Sequence, residues 1–99
     1  MALETRDFDP AVFLTSEEAI NAYLEDALES GDAKIVASAL GDVAKVKGMA
    51  RLAKDAGVSR ESLYRALSDE GNPQLSTVLK VVEALGLQLH VQSKRPDAA

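Results

Sequence analysis

The 99-residue sequence contains no cysteine and no tryptophan, and it has a single histidine. The absence of cysteine excludes disulfides, thiolate metal sites and cysteine nucleophiles, and it suits a reducing cytoplasm. No apolar run approaches the roughly 20 residues that a membrane-spanning helix needs. The acidic start, residues 1–13, lacks the basic and apolar parts of a signal peptide. We therefore expect one cytoplasmic domain with a single modest core.

Groups that carry catalysis or bind metals are also scarce. His90 is the only histidine, and no second ligand or nucleophile is spaced to work with it. The acidic pairs at 17–18 and 69–70 are typical of solvated faces and loops, and there is no glycine-rich phosphate loop. We expect no enzymatic activity, no cofactor and no metal.

The net charge of −5 is distributed unevenly along the chain. Residues 1–43 contain ten Asp or Glu against two Lys or Arg, whereas residues 44–67 contain six Lys or Arg against two Asp or Glu. An acidic and a basic segment attract different partners, so this asymmetry is informative about binding. The alternative is a chance fluctuation of charge in short windows.

The spacing of apolar residues predicts five helices. Thr15, with Glu18 three residues later, forms a capping box for the first helix, and Gly31 ends it. Asp32 caps the second helix, which ends at Gly48. The other three are predicted at Met49–Ala56, Arg60–Ser68 and Leu75–Leu85.

Each longer helix has one predicted apolar face. Gly41 interrupts the second of these faces, where it either lowers helix stability by about 1 kcal/mol relative to Ala or allows close packing. The inward residues are predicted to be Ala19, Ile20, Tyr23, Leu24, Ala27 and Leu28 in the first helix, Ile35, Val36, Ala39, Leu40, Val43 and Ala44 in the second, and Val78, Leu79, Val82 and Leu85 in the last.

After the last helix the period changes from helical to alternating. Leu87, Leu89 and Val91 alternate with polar residues, which predicts a short β-strand. A lone strand needs a partner, which a second copy or another protein can supply. The alternative is an extended tail packed on the helices. We expect an extended N-terminal arm at 1–14, one domain at 15–92 and a disordered tail at 93–99.

Residues 49–68 have the composition of a helix-turn-helix. Ala53 is small where two helices must cross, and Gly57 tolerates the positive φ that a tight turn needs. Val58 then enters the core, Ser59 caps the second helix, and Leu63 faces inward. The motif predicts binding to double-stranded DNA, and a structural hairpin without DNA binding is the alternative.

In this arrangement the second helix enters the major groove. Arg60 and Arg65 then contact a guanine or a phosphate, and Glu61 accepts from cytosine or stabilises the helix N-terminus. Ser62 and Tyr64 suit phosphate contacts. The predicted phosphate contacts of the preceding segment are Lys45, Lys47, Arg51 and Lys54, with solvated surface charge as the alternative.

With these residues in place, the sequence resembles the lambda-repressor-like (Cro/cI) helix-turn-helix class. It is more closely similar to a family of addiction-module antidote proteins resembling HigA-type antitoxins. Residues 52–67, 71–73 and 76–87 carry the resemblance together with the upstream segment 23–28, and it covers about residues 4–92. Many lambda-repressor-like domains begin the motif with Thr-Gln, whereas this chain has Ala50-Arg51.

The resemblance implies an all-α, five-helix lambda-repressor-like domain that dimerises on an operator and represses its own operon. It also implies a partner toxin of the RelE/ParE type. A stand-alone Cro/cI-type repressor and a pure protein-interaction module remain alternatives. The acidic helix is one candidate for the toxin contact, and the arm and the final strand are others. The resemblance also implies which residues read the bases, namely Ser59, Arg60, Glu61, Ser62 and Arg65.

Overall fold

A computed structural model describes residues 9–68 and 70–93 of the chain. These residues form six helices and no β-strand, which confirms the all-α prediction. None of the helices within the described residues is long and apolar enough to cross a membrane. The helices are α1 (Pro10–Phe13), α2 (Glu17–Glu29), α3 (Ala33–Lys47), α4 (Met49–Ala56), α5 (Arg60–Ala66) and α6 (Leu75–Ala84).

Helix α1 was not predicted, because residues 1–14 were expected to be extended. The Asp9 carboxylate accepts a hydrogen bond from the Ala11 amide at 3.1 Å, and Pro10 takes the first helical position, where its missing N–H costs nothing. Leu14, directly after α1, is buried in the core. The described residues therefore form six helices, one more than the sequence predicts. Residues 1–8 of the predicted arm and 94–99 of the predicted tail lie outside the described residues.

Side-chain caps fix the starts of α2 and α3. The Ser16 hydroxyl accepts from the Ala19 amide at 3.1 Å, so the predicted cap at Thr15 is wrong by one residue. With Ser16 as the cap, two glutamates occupy the first turn, where the helix dipole favours negative charge. The Asp32 cap is confirmed, since its carboxylate accepts from the Lys34 amide at 2.9 Å.

Helix α3 is the centre of the fold. It packs against α1, α2 and α4, and α4 in turn packs against α5 and α6. Val43 of α3, Leu63 of α5 and Val81 of α6 have no exposed surface. One core therefore joins α2 to α6 through α3 and α4, and Leu14 directly after α1 belongs to it.

Gly41 of α3 lies against the end of α5. A Cβ atom at this position would overlap the main-chain carbonyl oxygen of Leu67. The glycine therefore allows close packing, as one of the two sequence interpretations proposed. A Cβ at Gly71 would likewise overlap the carbonyl oxygens of Arg65 and Ala66, so the end of α5 is enclosed on two sides by glycine.

The predicted apolar faces needed correction at three residues. Leu79 of α6 was expected to face inward but is 47% exposed, and Val81 is buried instead. Apolar residues cover more than one face of α6, so spacing alone did not identify the face that packs against α4. Leu28 and Ile35 were also expected inside, and about half of each is exposed.

The predicted C-terminal strand is absent from the described residues. The Gly86 amide donates to Glu83 and the Leu87 amide donates to Val82, both at 3.0 Å, and Gly86 has φ +78°. This helix ending turns the chain so that Leu87 packs against the core. Val91 is 97% exposed. Alternation supplies an apolar face, but no strand within residues 9–68 and 70–93 is available to pair with it.

Candidate nucleic-acid interface

Three residues connect α4 to α5, and the main chain there forms a tight reversal. Gly57 has φ +75° and ψ +30°, the left-handed conformation that glycine adopts without strain. Its amide donates to Lys54 at 3.2 Å, and the Val58 amide donates to Ala53 at 3.0 Å, which satisfies carbonyls at the end of α4. Val58 packs against the core. The positive φ of Gly57 and the inward position of Val58 agree with the sequence expectations.

The start of α5 is fixed by Ser59. Its backbone is extended, and its hydroxyl accepts from the Ser62 amide at 3.0 Å, as predicted. One turn later Leu63 is buried, and Ala53 of α4 is buried as well. Since α4 packs directly against α5, the outward face of α5 is fixed relative to the core.

Exposed polar and charged side chains surround Leu63 on α5. The residues at positions 60, 61, 64 and 65 all lie on the solvent side. All ten residues predicted to contact DNA are exposed, namely Ser59, Arg60, Glu61, Ser62 and Arg65 for the bases and Lys45, Lys47, Arg51, Lys54 and Tyr64 for the phosphates.

Two of these side chains on α5 are in contact. The guanidinium carbon of Arg60 lies 5.8 Å from the centroid of the Tyr64 ring, one turn further along the helix. Such a cation–π contact is worth about 0.5–1 kcal/mol at an exposed site. It restricts the Arg60 side chain before any ligand is bound.

A second pair of predicted contacts is brought together at the start of α4. Lys47 and Arg51 line one shallow depression, with Ala84 at the end of α6 and the following Leu85 beside them. Arg51 also lies 3.9 Å from the carboxylate of Asp55, four residues later. Sequence reasoning missed Asp55, although the i,i+4 spacing on a helix was its signal. This exposed pair is worth at most about 1 kcal/mol, so Arg51 stays available to an anion.

Lys45 and Lys47 have a structural role as well as a predicted binding role. Both occupy the last turn of α3, where cations are favoured by the helix dipole. Gly48 follows with φ +109° and ends α3 while starting α4. This glycine places the two lysines directly before the helix pair α4–α5.

Further groups that could carry chemistry are the carboxylates, the single histidine and Tyr23. Among the described residues, no three carboxylate or imidazole groups lie close enough together to hold a metal ion. His90 is exposed. The Tyr23 hydroxyl donates to the Asp42 carboxylate at 2.5 Å. Burial raises the pKa of Tyr23 well above its ordinary value, and the hydrogen bond and charge of Asp42 act in the same direction.

Comparison with known proteins identifies the family. The family model described as "Probable addiction module antidote protein" matches residues 4–93. A protein of Haemophilus influenzae, described as an "Uncharacterized protein", is 50% identical over 95 residues, which cover 96% of this chain and 98% of that relative. No solved structure matches the chain. The match over most of its length shows that the chain belongs to the family of "Probable addiction module antidote protein" sequences.

Proposed function

We propose that this protein is the antitoxin of a type II toxin–antitoxin module, with a HigA-like, Cro/cI-type helix-turn-helix. It binds operator DNA as a dimer, represses its own operon and neutralises a RelE/ParE-type toxin. Family membership supports the antidote role and implies a toxin partner of some kind. The DNA-binding part is argued from the helix pair α4–α5.

The observation that carries DNA binding is the exposed face of α5. Ser59 and Leu63 orient this short helix by a cap and by burial, so the charged residues between and beyond them face solvent. In the proposal, α5 lies in the major groove, where Arg60 and Arg65 donate to guanine O6 and N7. Glu61 accepts from cytosine, and Ser59 and Ser62 contact neighbouring base edges.

The flanking cations position this helix on the sugar–phosphate backbone. Lys45 and Lys47 come from the end of α3, Arg51 and Lys54 from α4, and Tyr64 from α5. Contacts of this kind add affinity without sequence information, and each one makes binding more sensitive to salt. Residues 44–67 carry six basic and two acidic side chains, which makes this the segment of the chain suited to a polyanion.

In the proposal, two copies read an inverted repeat whose half-sites are about 34–36 Å apart, one turn of the duplex. The protein acts in the cytoplasm by binding, without catalysis. A sequence-specific dimer next to its own promoter represses transcription by occupying the operator.

The DNA-binding part is tested with DNA from upstream of the protein's own gene. Fluorescence anisotropy compares the wild type with Arg60→Ala/Arg65→Ala, and Lys80→Ala on the exposed side of α6 is the matched control. We expect the double variant to lose at least about 30-fold in affinity, since each base contact is worth about 1–3 kcal/mol. The control stays within about twofold. Unchanged affinity of the double variant would refute base reading by α5.

The antidote part is tested by co-expression with the protein encoded beside this chain. We expect growth arrest by that protein alone and rescue by the wild-type chain. DNA binding without rescue supports a stand-alone repressor instead. Rescue without any salt-dependent DNA binding supports a pure interaction module.

A further inference from the structure

A shallow groove of about 570 Å³ lies between α2 and α3. Its most buried apolar residues are Ala27 and Ala39, and Ile35 adds an apolar side chain that is 47% exposed. An isoleucine that remains half exposed beside buried alanines gives the groove an apolar centre. The other lining residues are Tyr23, Asp26, Lys34, Ser38 and Glu70.

The surroundings of the groove are acidic. Asp26 and Glu70 line it, against one cation, Lys34. The exposed side of α2 adds Glu25 and Glu29, and the first turn of that helix holds two further glutamates. Within the described residues, the one ion pair joins Arg51 to Asp55 on α4, so these carboxylates have no cation within 4.0 Å there.

The wall formed by Tyr23 is held in place from two sides. Its hydroxyl donates to Asp42 of α3, and its ring packs edge-on against Phe13, with centroids 5.6 Å apart and planes at 67°. The groove therefore exists before a partner arrives. A preformed site binds with a smaller loss of conformational entropy than one that must be ordered.

Charge decides which kind of occupant fits. DNA is excluded by the acidic residues around the groove. A second copy related by two-fold symmetry would bring this acidic surface against itself, and opposed like charges cost several kcal/mol. An apolar centre with a charged rim is typical of a protein–protein interface. A basic protein segment with an apolar side chain complements both features.

We propose that the groove between α2 and α3 is the docking site for a cationic, partly apolar segment of the partner toxin. This inference rests on the proposed function, since it takes the toxin as the occupant. Ile35 contacts the apolar side chain of the segment, and Asp26 and Glu70 pair with its cations. The helix pair α4–α5 stays free, so the toxin-bound protein retains its DNA-binding face.

The test uses the full-length chain and the protein encoded beside it, with affinity measured by isothermal titration calorimetry. Ile35→Glu should weaken binding at least about 100-fold, as for a central interface residue, and Asp26→Lys about 10-fold. Leu79→Glu is the matched apolar control, because Leu79 is also 47% exposed but lies on α6. Glu83→Lys is the matched charge control. Both controls should leave the affinity for the neighbouring protein unchanged, and all four variants should retain binding to operator DNA.

The outcomes separate this inference from the proposed function. If the wild type does not bind the neighbouring protein, the toxin part of the proposed function fails and the groove assignment fails with it. If the wild type binds and both groove variants bind equally well, the groove assignment is overturned while the antidote role stands. The groove assignment is likewise overturned if Ile35→Glu changes only the oligomeric state. Circular dichroism checks folding, and Asp26→Lys provides the test if Ile35→Glu does not fold.

Discussion

The acidic groove between α2 and α3 and the basic surface around α4–α5 differ in charge, yet both are built on α3. The first half of α3 forms one wall of the acidic groove with α2, and its last turn carries the lysines that precede the helix pair. The helix has 15 residues, which corresponds to about 22 Å along its axis. This length exceeds the screening length of roughly 8 Å at physiological salt. Charges at the two ends of α3 are therefore largely screened from each other.

The two surfaces also differ in how they are stabilised. Helices α2 and α3 have 13 and 15 residues and side-chain caps, whereas α4 and α5 have only 8 and 7 residues. Helices of two turns are unstable in isolation and depend on tertiary packing. The proposed DNA-binding face is therefore expected to be more sensitive to changes at the α3–α5 contact than the groove is.

The largest effect is expected from Gly41→Ala, which separates α3 from the end of α5. The added Cβ meets a main-chain oxygen that no rotamer change can move. Helix propensity favours Ala by about 1 kcal/mol, but overpacking costs more, so we expect a net loss of about 2 kcal/mol in the free energy of unfolding. Urea denaturation measures it.

Gly31→Ala is the control for this substitution. Gly31 has φ +70° and open space around its Cα, so only the conformational cost of about 1 kcal/mol applies. Equal stability of Gly41→Ala and the wild type would show that α5 is not anchored on α3 at this contact.

A second experiment distinguishes two kinds of contact within the basic surface. Arg65→Ala should lower operator affinity by about 1–3 kcal/mol while affecting unrelated DNA much less. Lys54→Ala should weaken binding to all sequences and reduce the slope of log affinity against log salt by about 0.9. Titrations at several salt concentrations on both DNAs measure these effects. A uniform loss for Arg65→Ala would reassign this residue to a phosphate.

The caps of α2 and α5 allow a matched comparison of the two surfaces. Ser16→Ala and Ser59→Ala each remove a hydroxyl that accepts from the amide three residues later. Each should lower the free energy of unfolding by about 1 kcal/mol, whereas Ser16→Asp and Ser59→Asp should retain most of the wild-type stability. Thermal unfolding measures the loss, and Ser76→Ala on the surface of α6 is the control. If only Ser16→Ala is destabilising, the α5 cap contributes little to the folded state.

The smallest effect concerns Tyr23 at alkaline pH. The pKa of Tyr23 is raised in the folded state, so its contribution to the free energy of unfolding is complete below about pH 10, the ordinary pKa of tyrosine. This contribution is lost as the pH rises further. Tyr23→Phe should flatten the alkaline decrease in stability. Urea denaturation between pH 8 and about pH 11 tests this expectation. Parallel curves for wild type and Tyr23→Phe would contradict it.

Local signals in the sequence predicted most of the helices and the turn. Asp32, Gly57 and Ser59 act through neighbours within five residues, so their roles can be inferred from sequence alone. Asp9-Pro10 was a local signal too, for a capped helix, but it was interpreted as an extended arm.

The remaining errors depend on contacts between distant residues. Val81 rather than Leu79 is buried because α4 selects one face of a helix that is apolar on several. The groove depends on the approach of α2, α3 and residue 70, which no spacing encodes. The predicted strand failed because alternation cannot supply a partner strand. The exposure of the residues predicted to contact DNA could be inferred from periodicity.

The contact between Gly41 and the Leu67 carbonyl has a consequence for how such a protein can change over evolution. At this contact the Gly41 backbone of α3 faces the main-chain carbonyl of Leu67 at the end of α5, where an added Cβ atom would overlap that oxygen. Substitutions on the outer face of α5 or along the groove therefore leave the geometry of the frame intact. If the proposed function holds, a lineage can acquire a new operator and a new partner in separate steps, each without changing the other surface.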